Sequence, residues 1–376
     1  MNSEKPHTAE YESLTPLYAR WMDDLLGGPI PRETRATCDD CAMCAKPGDP
    51  AAGEETFFDP AIKCCSTVPE LSNFLVGGIL AAGEADSGSD KQSVSGRESI
   101  VRRIKESGAV SPLGLGQSAA FKLIYENSDP AFGRSLSLRC PHYLEDSGRC
   151  GIRNHRPGIC VTWFCKHVRG NVGRAFWRDW LEKLFIDVER SLGTWCVLKL
   201  DIGLEALREI YTPGGDGQPG ALTAAQLDNR PNPARQRRIW GKWFGREEAF
   251  FVECARLVES LSWQQVLGIC DPEANILASL TRRAYDRLVS DQVPPALKVG
   301  SFQLVQMTNG LSRVRSYSPL DPLDVPAPVM ESLRYFDGRP TEEALGQIAS
   351  EKGISLSANL VRKLCDFELL VAADAS

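Results

Sequence analysis

The sequence has no uncharged apolar run long enough to cross a bilayer. The longest candidate, residues 71–83, falls short of the roughly 20 residues that a spanning helix needs and is typical of a buried helix. The first residues of the chain do not show the basic stretch followed by an apolar run that marks a secretory signal. We therefore expect a cytoplasmic protein without a membrane partner.

Positive charge is also in short supply. The chain has 43 Lys and Arg against 49 Asp and Glu, which gives a net charge of −6. Because phosphate binding needs a surplus of cations, the composition argues against a general nucleic-acid binder. We expect no nucleic-acid partner.

Familiar catalytic signatures are missing as well. The sequence shows no P-loop, no H-E-x-x-H zinc motif, no Ser-His-Asp set and no Gly-rich S-adenosylmethionine loop. The cysteine spacing also differs from that of radical S-adenosylmethionine enzymes. The sequence therefore leaves open whether the chain is an enzyme.

Cysteine, by contrast, is abundant, with thirteen residues, nine of which fall in three loop-like groups. The groups are a C-x2-C-x2-C run at Cys38, Cys41 and Cys44, the adjacent Cys64 and Cys65, and the set Cys140, Cys150, Cys160 and Cys165. In a reducing compartment, clustered thiols are more often metal ligands than disulfides. The remaining four cysteines are expected to be small buried hydrophobes; these are Cys196, Cys254, Cys270 and Cys365.

The spacing of the first group predicts a metal site that needs a distant partner. Three cysteines two residues apart can hold three corners of one centre, and the 140–165 stretch is expected to supply the rest. All nine clustered cysteines are candidate ligands. Candidates for direct ligation, or for contacts that support the ligands, are His142, His155, His167 and Arg156. The triple run favours an iron–sulfur cluster, of the 4Fe–4S type, with Zn²⁺ as the alternative.

The stretch "CPHYLEDSGRCGIRNHRPGICVTWFC" resembles the second half of the YkgJ-like cysteine-cluster proteins, a CxxCxxCC family of zinc or iron chelators. Its matching residues are Cys140, Cys150 with Ile152, Arg156-Pro157, Cys160 and Cys165. The first half departs from the family pattern, because the double cysteine lies beyond an insertion. The resemblance extends to flagellin lysine N-methylases, which implies the modification of a protein or peptide.

The pattern of the whole chain predicts a mainly α fold with short β segments. We expect a cysteine-rich metal-binding domain over residues 1–212, a helical region over 213–295 and a small winged-helix-like domain over 296–376, with a loop at 213–221. Short strands or extended segments around a turn are predicted at 119–129 and 134–144. A hairpin is predicted at Asn309-Gly310, and a helix capped by Thr341 is predicted beyond it.

The last domain weakly resembles PqqD-like peptide-recognition domains through "LRYFDGRPTEEALGQIASEKG". Because acidic residues outnumber basic ones from Asp321 onward, a peptide or protein partner is favoured over DNA. The sequence thus predicts a cytoplasmic metalloprotein that acts in protein or peptide modification. The alternatives are a non-catalytic module for metal storage, delivery or sensing, and a purely structural zinc site.

Overall fold

The computed structural model describes residues 14–38, 40–45, 57–85, 91–211 and 222–373. The fold is mainly helical with short strands, which confirms the predicted class. The α-helices are α1 (Pro16–Leu26), α2 (Asn73–Ala85), α3 (Lys91–Glu106), α4 (Ala119–Glu126), α5 (Gly158–Val161), α6 (Gly170–Arg174), α7 (Glu182–Lys199), α8 (Leu204–Tyr211), α9 (Ala224–Leu227), α10 (Pro233–Trp240), α11 (Glu247–Glu259), α12 (Trp263–Ile269), α13 (Pro272–Val289), α14 (Ala327–Ser332), α15 (Thr341–Lys352) and α16 (Ala358–Asp366). A π-helical stretch, Ala175–Leu181, lies between α6 and α7.

The strands are short and pair antiparallel in four small sheets. They are β1 (Leu71–Ser72), β2 (Val110–Ser111), β3 (Gly114–Leu115), β4 (Tyr143–Leu144), β5 (Arg149–Cys150), β6 (Ala296–Val299), β7 (Gln303–Thr308), β8 (Leu311–Arg315), β9 (Leu323–Pro326), β10 (Asp337–Pro340) and β11 (Leu370–Ala372). The strand orders are β1-β3-β2, β4-β5, β7-β8-β9 and β10-β6-β11. None of the helices in the described residues combines the length and apolar character needed to span a bilayer.

The described residues divide into two compact units, and neither is continuous in sequence. The first unit lies within Met1–Arg32, Cys38–Thr162 and Glu182–Ala278, and the second within Glu33–Thr37, Trp163–Leu181 and Ser279–Ser376. The sequence pattern instead suggests three consecutive domains. The loop predicted at 213–221 lies outside the described residues.

Aromatic side chains and a close helix contact form the core of the first unit. The Tyr18 and Phe185 rings stack with their centroids 4.4 Å apart. Helix α2 packs against α11, and a Cβ added at Gly77 would lie 1.8 Å from the carbonyl oxygen of Phe251. Only glycine allows this approach. The buried helix predicted at 71–83 is thereby confirmed, since it corresponds to α2 and its apolar residues are buried.

Two short segments from early and middle parts of the chain complete the second unit. The guanidinium of Arg169 donates to both carboxylate oxygens of Asp366, at 2.5 and 2.9 Å. Nε1 of Trp177 donates to Oε1 of Glu33 at 3.0 Å. These contacts tie the 163–181 and 33–37 segments into this unit, whose apolar core contains Phe336 among other residues of the tail.

The hairpin prediction is confirmed at the level of individual residues. Thr308 pairs with Leu311, and Asn309 and Gly310 between them have φ values of +51° and +77°. Two consecutive left-handed residues form the type I′ turn that matches the strand twist. The winged-helix assignment of the surrounding tail stays a prediction.

Three local predictions are wrong in whole or in part. Residues 119–126 form helix α4 rather than a strand, because Ser118 caps it by accepting the Phe121 N–H at 3.1 Å. In 134–144 the prediction holds only in part, because β4 forms a strand at Tyr143–Leu144 whereas Leu136–Leu138 form a 3₁₀ turn. Thr341 does not cap α15, since it is the first helical residue and its hydroxyl donates to Pro294.

Candidate metal centre

The first cysteine group lies on a loop that is fastened near Phe58. The Cys44 N–H donates to the carbonyl oxygen of Cys41 at 3.2 Å, so these two cysteines share one turn. Cys44 also forms an isolated parallel β-bridge with Phe58. Gly133, at φ +77°, lies so close to the Phe58 ring that an added Cβ would come within 2.2 Å of it. This packing fixes the end of the loop that begins at Cys38.

Lys63 joins the three cysteine groups. It has a left-handed φ of +56° and directly precedes the double cysteine. Its Nζ donates to the carbonyl oxygen of Cys38 at 2.8 Å and to that of Gly148 at 3.0 Å. In addition, the Cys140 N–H donates to the carbonyl oxygen of Cys65 at 2.8 Å. Backbone geometry therefore brings these separated parts of the chain side by side.

The β4–β5 hairpin positions two thiols. Tyr143 pairs with Cys150 across the hairpin. The nearby backbone N–H of His142 acts to lower the pKa of Cys140, and that of Ile152 acts to lower the pKa of Cys150. Backbone N–H groups of this kind favour the thiolate form and are a recurrent feature of iron–sulfur and zinc–thiolate sites.

Cys160 lies on α5, a single helical turn that begins beside the buried Glu189. Oε1 of Glu189 accepts the Gly158 N–H at 2.5 Å and also the hydroxyl of Tyr18. Burial raises the pKa of Glu189 to about 7, although both donors act to lower it. Residues of α1 and α7 thus hold the turn that carries Cys160.

The thiols of different groups interact electrostatically. Burial, followed by the thiols of Cys150 and Cys64, raises the pKa of Cys140 to about 12. Burial and then Cys140 and Cys150 raise the pKa of Cys160 well above its ordinary value. Cys38 interacts in the same way with Cys64 and Cys150. Thiols in this setting stay protonated unless a cation displaces their protons, as a bound metal does.

Arg156 is the cation most widely shared among these thiols. Its guanidinium interacts electrostatically with the sulfurs of Cys38, Cys64, Cys150 and Cys160. Its Nε donates to the carbonyl oxygen of Arg153 at 3.3 Å, which orients the side chain. A fixed positive charge beside several sulfurs favours their thiolate forms.

Among the described residues of the first unit there are two histidines, of which His142 is buried and His155 is half-buried. His142 is 1% exposed, with Nδ1 3.1 Å from the Ser99 hydroxyl and Nε2 3.0 Å from Arg103. Burial, with Arg103 adding to it, lowers the pKa of His142 to about 3. His155 packs against Gly78 of α2, and burial lowers its pKa to about 4. Both imidazoles are therefore neutral at pH 7.

Two of the predicted site residues belong to the second unit. Cys165 is half-buried there, and His167 is 3% exposed. The backbone N–H of His167 donates to Oδ2 of Asp321 at 3.0 Å, while its ring nitrogens make no hydrogen bond within the described residues. The other eight clustered cysteines lie in the first unit.

Two of the four single cysteines, Cys196 and Cys254, are buried as predicted, whereas the other two are not fully buried. Cys196 and Cys254 are fully buried, and the Cys196 thiol lies 3.8 Å from the carbonyl oxygen of Cys254. Cys270 and Cys365 are half-buried.

Three residues of this region carry no recognisable signal in the sequence. Lys63, Arg103 and Glu189 each bind groups that lie far away along the chain, and several of those groups are backbone atoms. A side chain that recognises a distant backbone atom leaves no local pattern. The position of Lys63 next to Cys64 is the one feature of the sequence that indicates a supporting role for any of the three.

Backbone and Lys63 contacts join the cysteine groups, yet the thiols of the described residues do not form a complete ligand set. Within the described ranges, no three His, Cys, Asp or Glu side chains are arranged so as to hold a metal ion. Comparison of the chain with protein-family models, with curated proteins and with solved structures finds no match. The family resemblance of the cysteine pattern therefore stays a prediction.

Proposed function

We propose that this protein is a metalloprotein whose first unit binds a metal centre through cysteine thiolates. The observation that carries the proposal is the convergence of cysteines from separate stretches, joined by the Lys63 contacts and the Cys140–Cys65 backbone bond. Eight of the nine clustered cysteines lie in one unit, and a donor set made of thiols suits iron–sulfur clusters or zinc.

An iron–sulfur cluster is the favoured centre, and Zn²⁺ is the alternative. Three cysteines at C-x2-C-x2-C spacing with remote partners are closer to cluster-binding patterns than to paired zinc knuckles. The backbone N–H groups that favour the thiolate forms of Cys140 and Cys150 support either centre. When bound, a cluster supplies redox or Lewis-acid chemistry, whereas a closed zinc site supplies structural stability.

Anaerobic purification followed by metal and sulfide analysis tests the proposal. We expect iron with matching acid-labile sulfide and broad visible absorption in the wild-type protein. Cys160→Ser is expected to lose metal and to lower thermal stability, because the binding energy of such sites is also folding energy. Cys270→Ser, in the same unit but outside the three groups, is the matched control and should keep its metal.

The outcomes separate the alternatives. Zinc without iron would select the zinc centre. A wild-type protein that carries neither metal, even after anaerobic reconstitution with iron and sulfide or with Zn²⁺, would contradict the proposal. Equal metal content in the Cys160→Ser and Cys270→Ser proteins would contradict the assigned ligands.

The centre is proposed to serve the modification of a protein or peptide, and a specific feature of the second unit favours such a partner. β7 is an edge strand of the β7-β8-β9 sheet, and its Leu304 and Met307 side chains are 53% and 68% exposed. An exposed edge strand can take up an extended peptide as an additional strand. Metal storage, delivery or sensing remains the alternative function if no peptide binds.

The register of the hairpin provides a sharp test of peptide addition. Thr308 and Leu311 flank the two-residue turn and exchange hydrogen bonds, so the next pair, Met307 and Ser312, directs its backbone groups outward. Met307→Pro therefore removes an outward N–H without removing a ladder bond, and Met307→Thr is the matched control.

Peptides selected from a random phage library on the full chain should bind the Met307→Thr protein and not the Met307→Pro protein. Equal binding to both proteins would place the peptide elsewhere and remove the support that β7 gives to this partner.

A further inference from the structure

The histidine nearest to Cys140 is engaged by helix α3 on both of its ring nitrogens. Ser99 and Arg103 lie one helical turn apart on α3, so their side chains are on the same face. The His142 imidazole lies between them, 3.1 Å from the Ser99 hydroxyl through Nδ1 and 3.0 Å from Arg103 through Nε2. At 1% exposure the ring has no other access to solvent or ligand.

The guanidinium determines the tautomer. Arginine in a protein is always a hydrogen-bond donor, so Nε2 of His142 must accept. Nδ1 then carries the hydrogen atom and donates it to the Ser99 hydroxyl, which lies 3.3 Å from the carbonyl oxygen of Pro141 and donates to it. Arg103 is itself oriented by a second bond, from NH2 to the carbonyl oxygen of Gly116 at 3.0 Å. Neither ring nitrogen is left for a metal.

The backbone of His142, in contrast, connects both thiol-bearing ends of the hairpin. His142 lies inside the turn that the Tyr143 N–H closes by donating to the carbonyl oxygen of Cys140 at 3.1 Å, and its own carbonyl oxygen accepts the Gly151 N–H at 2.8 Å, next to Cys150. Because α3 holds both ring nitrogens of His142, it also limits the movement of this turn. Arg103 also lies close enough to interact electrostatically with that sulfur.

We infer that His142 and Arg103 are positioning residues for Cys140, and that His142 is not a ligand of the metal. This inference rests on the proposed function, because it concerns the same centre. The guanidinium holds the imidazole, the imidazole holds the turn that carries Cys140, and Arg103 interacts electrostatically with the Cys140 sulfur. Partners of this kind beyond the ligands typically change metal affinity 10–100-fold.

The test uses full-length protein loaded with its own metal, with two readouts. Release of metal to a chelator should be about tenfold faster in Arg103→Gln and in His142→Asn than in the wild type. The thiolate-to-metal absorption band should shift in both variants, whereas destabilisation elsewhere in the fold would not move it. Metal content after loading should stay at the wild-type value in both.

Two further variants make the result decisive. Lys105→Gln removes the same charge from an exposed position of α3 and should release metal at the wild-type rate. Arg103→Lys retains the charge and is expected to restore part of the band position, which also gives a folded variant if Arg103→Gln does not fold.

Each failure has its own signature. A wild-type protein that loads no metal defeats the proposed function and this inference together. A wild-type protein that loads normally, with His142→Asn losing its metal entirely, makes His142 a ligand and overturns the inference alone. Unchanged release and an unchanged band in Arg103→Gln would also overturn it.

Discussion

Replacing Glu189 with glutamine should raise the free energy of unfolding, relative to that of the wild type, more at pH 8 than at pH 5. Oε1 of Glu189 accepts both the Gly158 N–H and the Tyr18 hydroxyl, and no hydrogen bond to Oε2 is found in the described part of the chain. The amide oxygen of the variant can therefore accept both bonds, with the NH2 group at the position of Oε2. The substitution removes the charge and keeps the contacts.

The magnitude follows from the pKa of the buried carboxyl. Burial raises it from 4.5 to about 7. Below pH 4.5 the group is protonated in both the folded and the unfolded chain. Between pH 4.5 and 7 the folded protein keeps a proton that the unfolded chain has lost, so its stability falls as the pH rises. At about 1.4 kcal/mol for each pH unit, the loss in the free energy of unfolding reaches about 3 kcal/mol above pH 7.

Urea denaturation of the wild type and Glu189→Gln at pH 5 and pH 8 measures this loss. The free energy of unfolding of the variant should gain about 2–3 kcal/mol over that of the wild type between the two pH values. Glu126→Gln, an exposed change on α4, should show no such gain. If the free energies of unfolding of the wild type and Glu189→Gln differ by the same amount at both pH values, the reasoning is refuted.

Two further predictions concern packing and ion pairing. Gly133→Ala should destabilise the loop that carries the first cysteine group, because φ at Gly133 is +77° and the new Cβ would overlap the Phe58 ring. Denaturant titrations should show a loss of about 2 kcal/mol or more in the free energy of unfolding. An unchanged free energy would mean that the loop can shift to make room for the methyl group. Asp366→Ala should cost about 3–5 kcal/mol by leaving the half-buried Arg169 without its paired carboxylate, and the additional change Arg169→Met should recover part of the loss. If the additional change recovers no stability, Asp366 and Arg169 contribute to stability independently of each other.

The parts of the fold that the sequence predicts correctly are those with strong local signals. Asn309-Gly310 allows few conformations other than a I′ turn, and the apolar stretch around Gly77 has no polar face for a surface helix. The stretch at 119–126 was ambiguous, because a short apolar run fits either a strand or a helix. There the cap at Ser118 decides the outcome.

The candidate site divides in the same way. Its cysteines are visible in the sequence because their residue type and spacing are unusual. The contacts that join them are not visible, since Lys63 and Glu189 recognise atoms brought near by the tertiary fold. The placement of Cys165 in the second unit, only five residues after Cys160, could not be read from spacing at all.

The discontinuous second unit has a consequence for the order in which the chain folds. Phe176 leaves the ribosome long before Tyr285, whose ring lies 6.0 Å from that of Phe176 in the finished protein. Contacts between residues so far apart in sequence form late, because the loop between them must close first. During synthesis the Phe176 ring lacks its Tyr285 partner, so a chain shortened at its carboxyl end would leave apolar surface exposed and prone to aggregate.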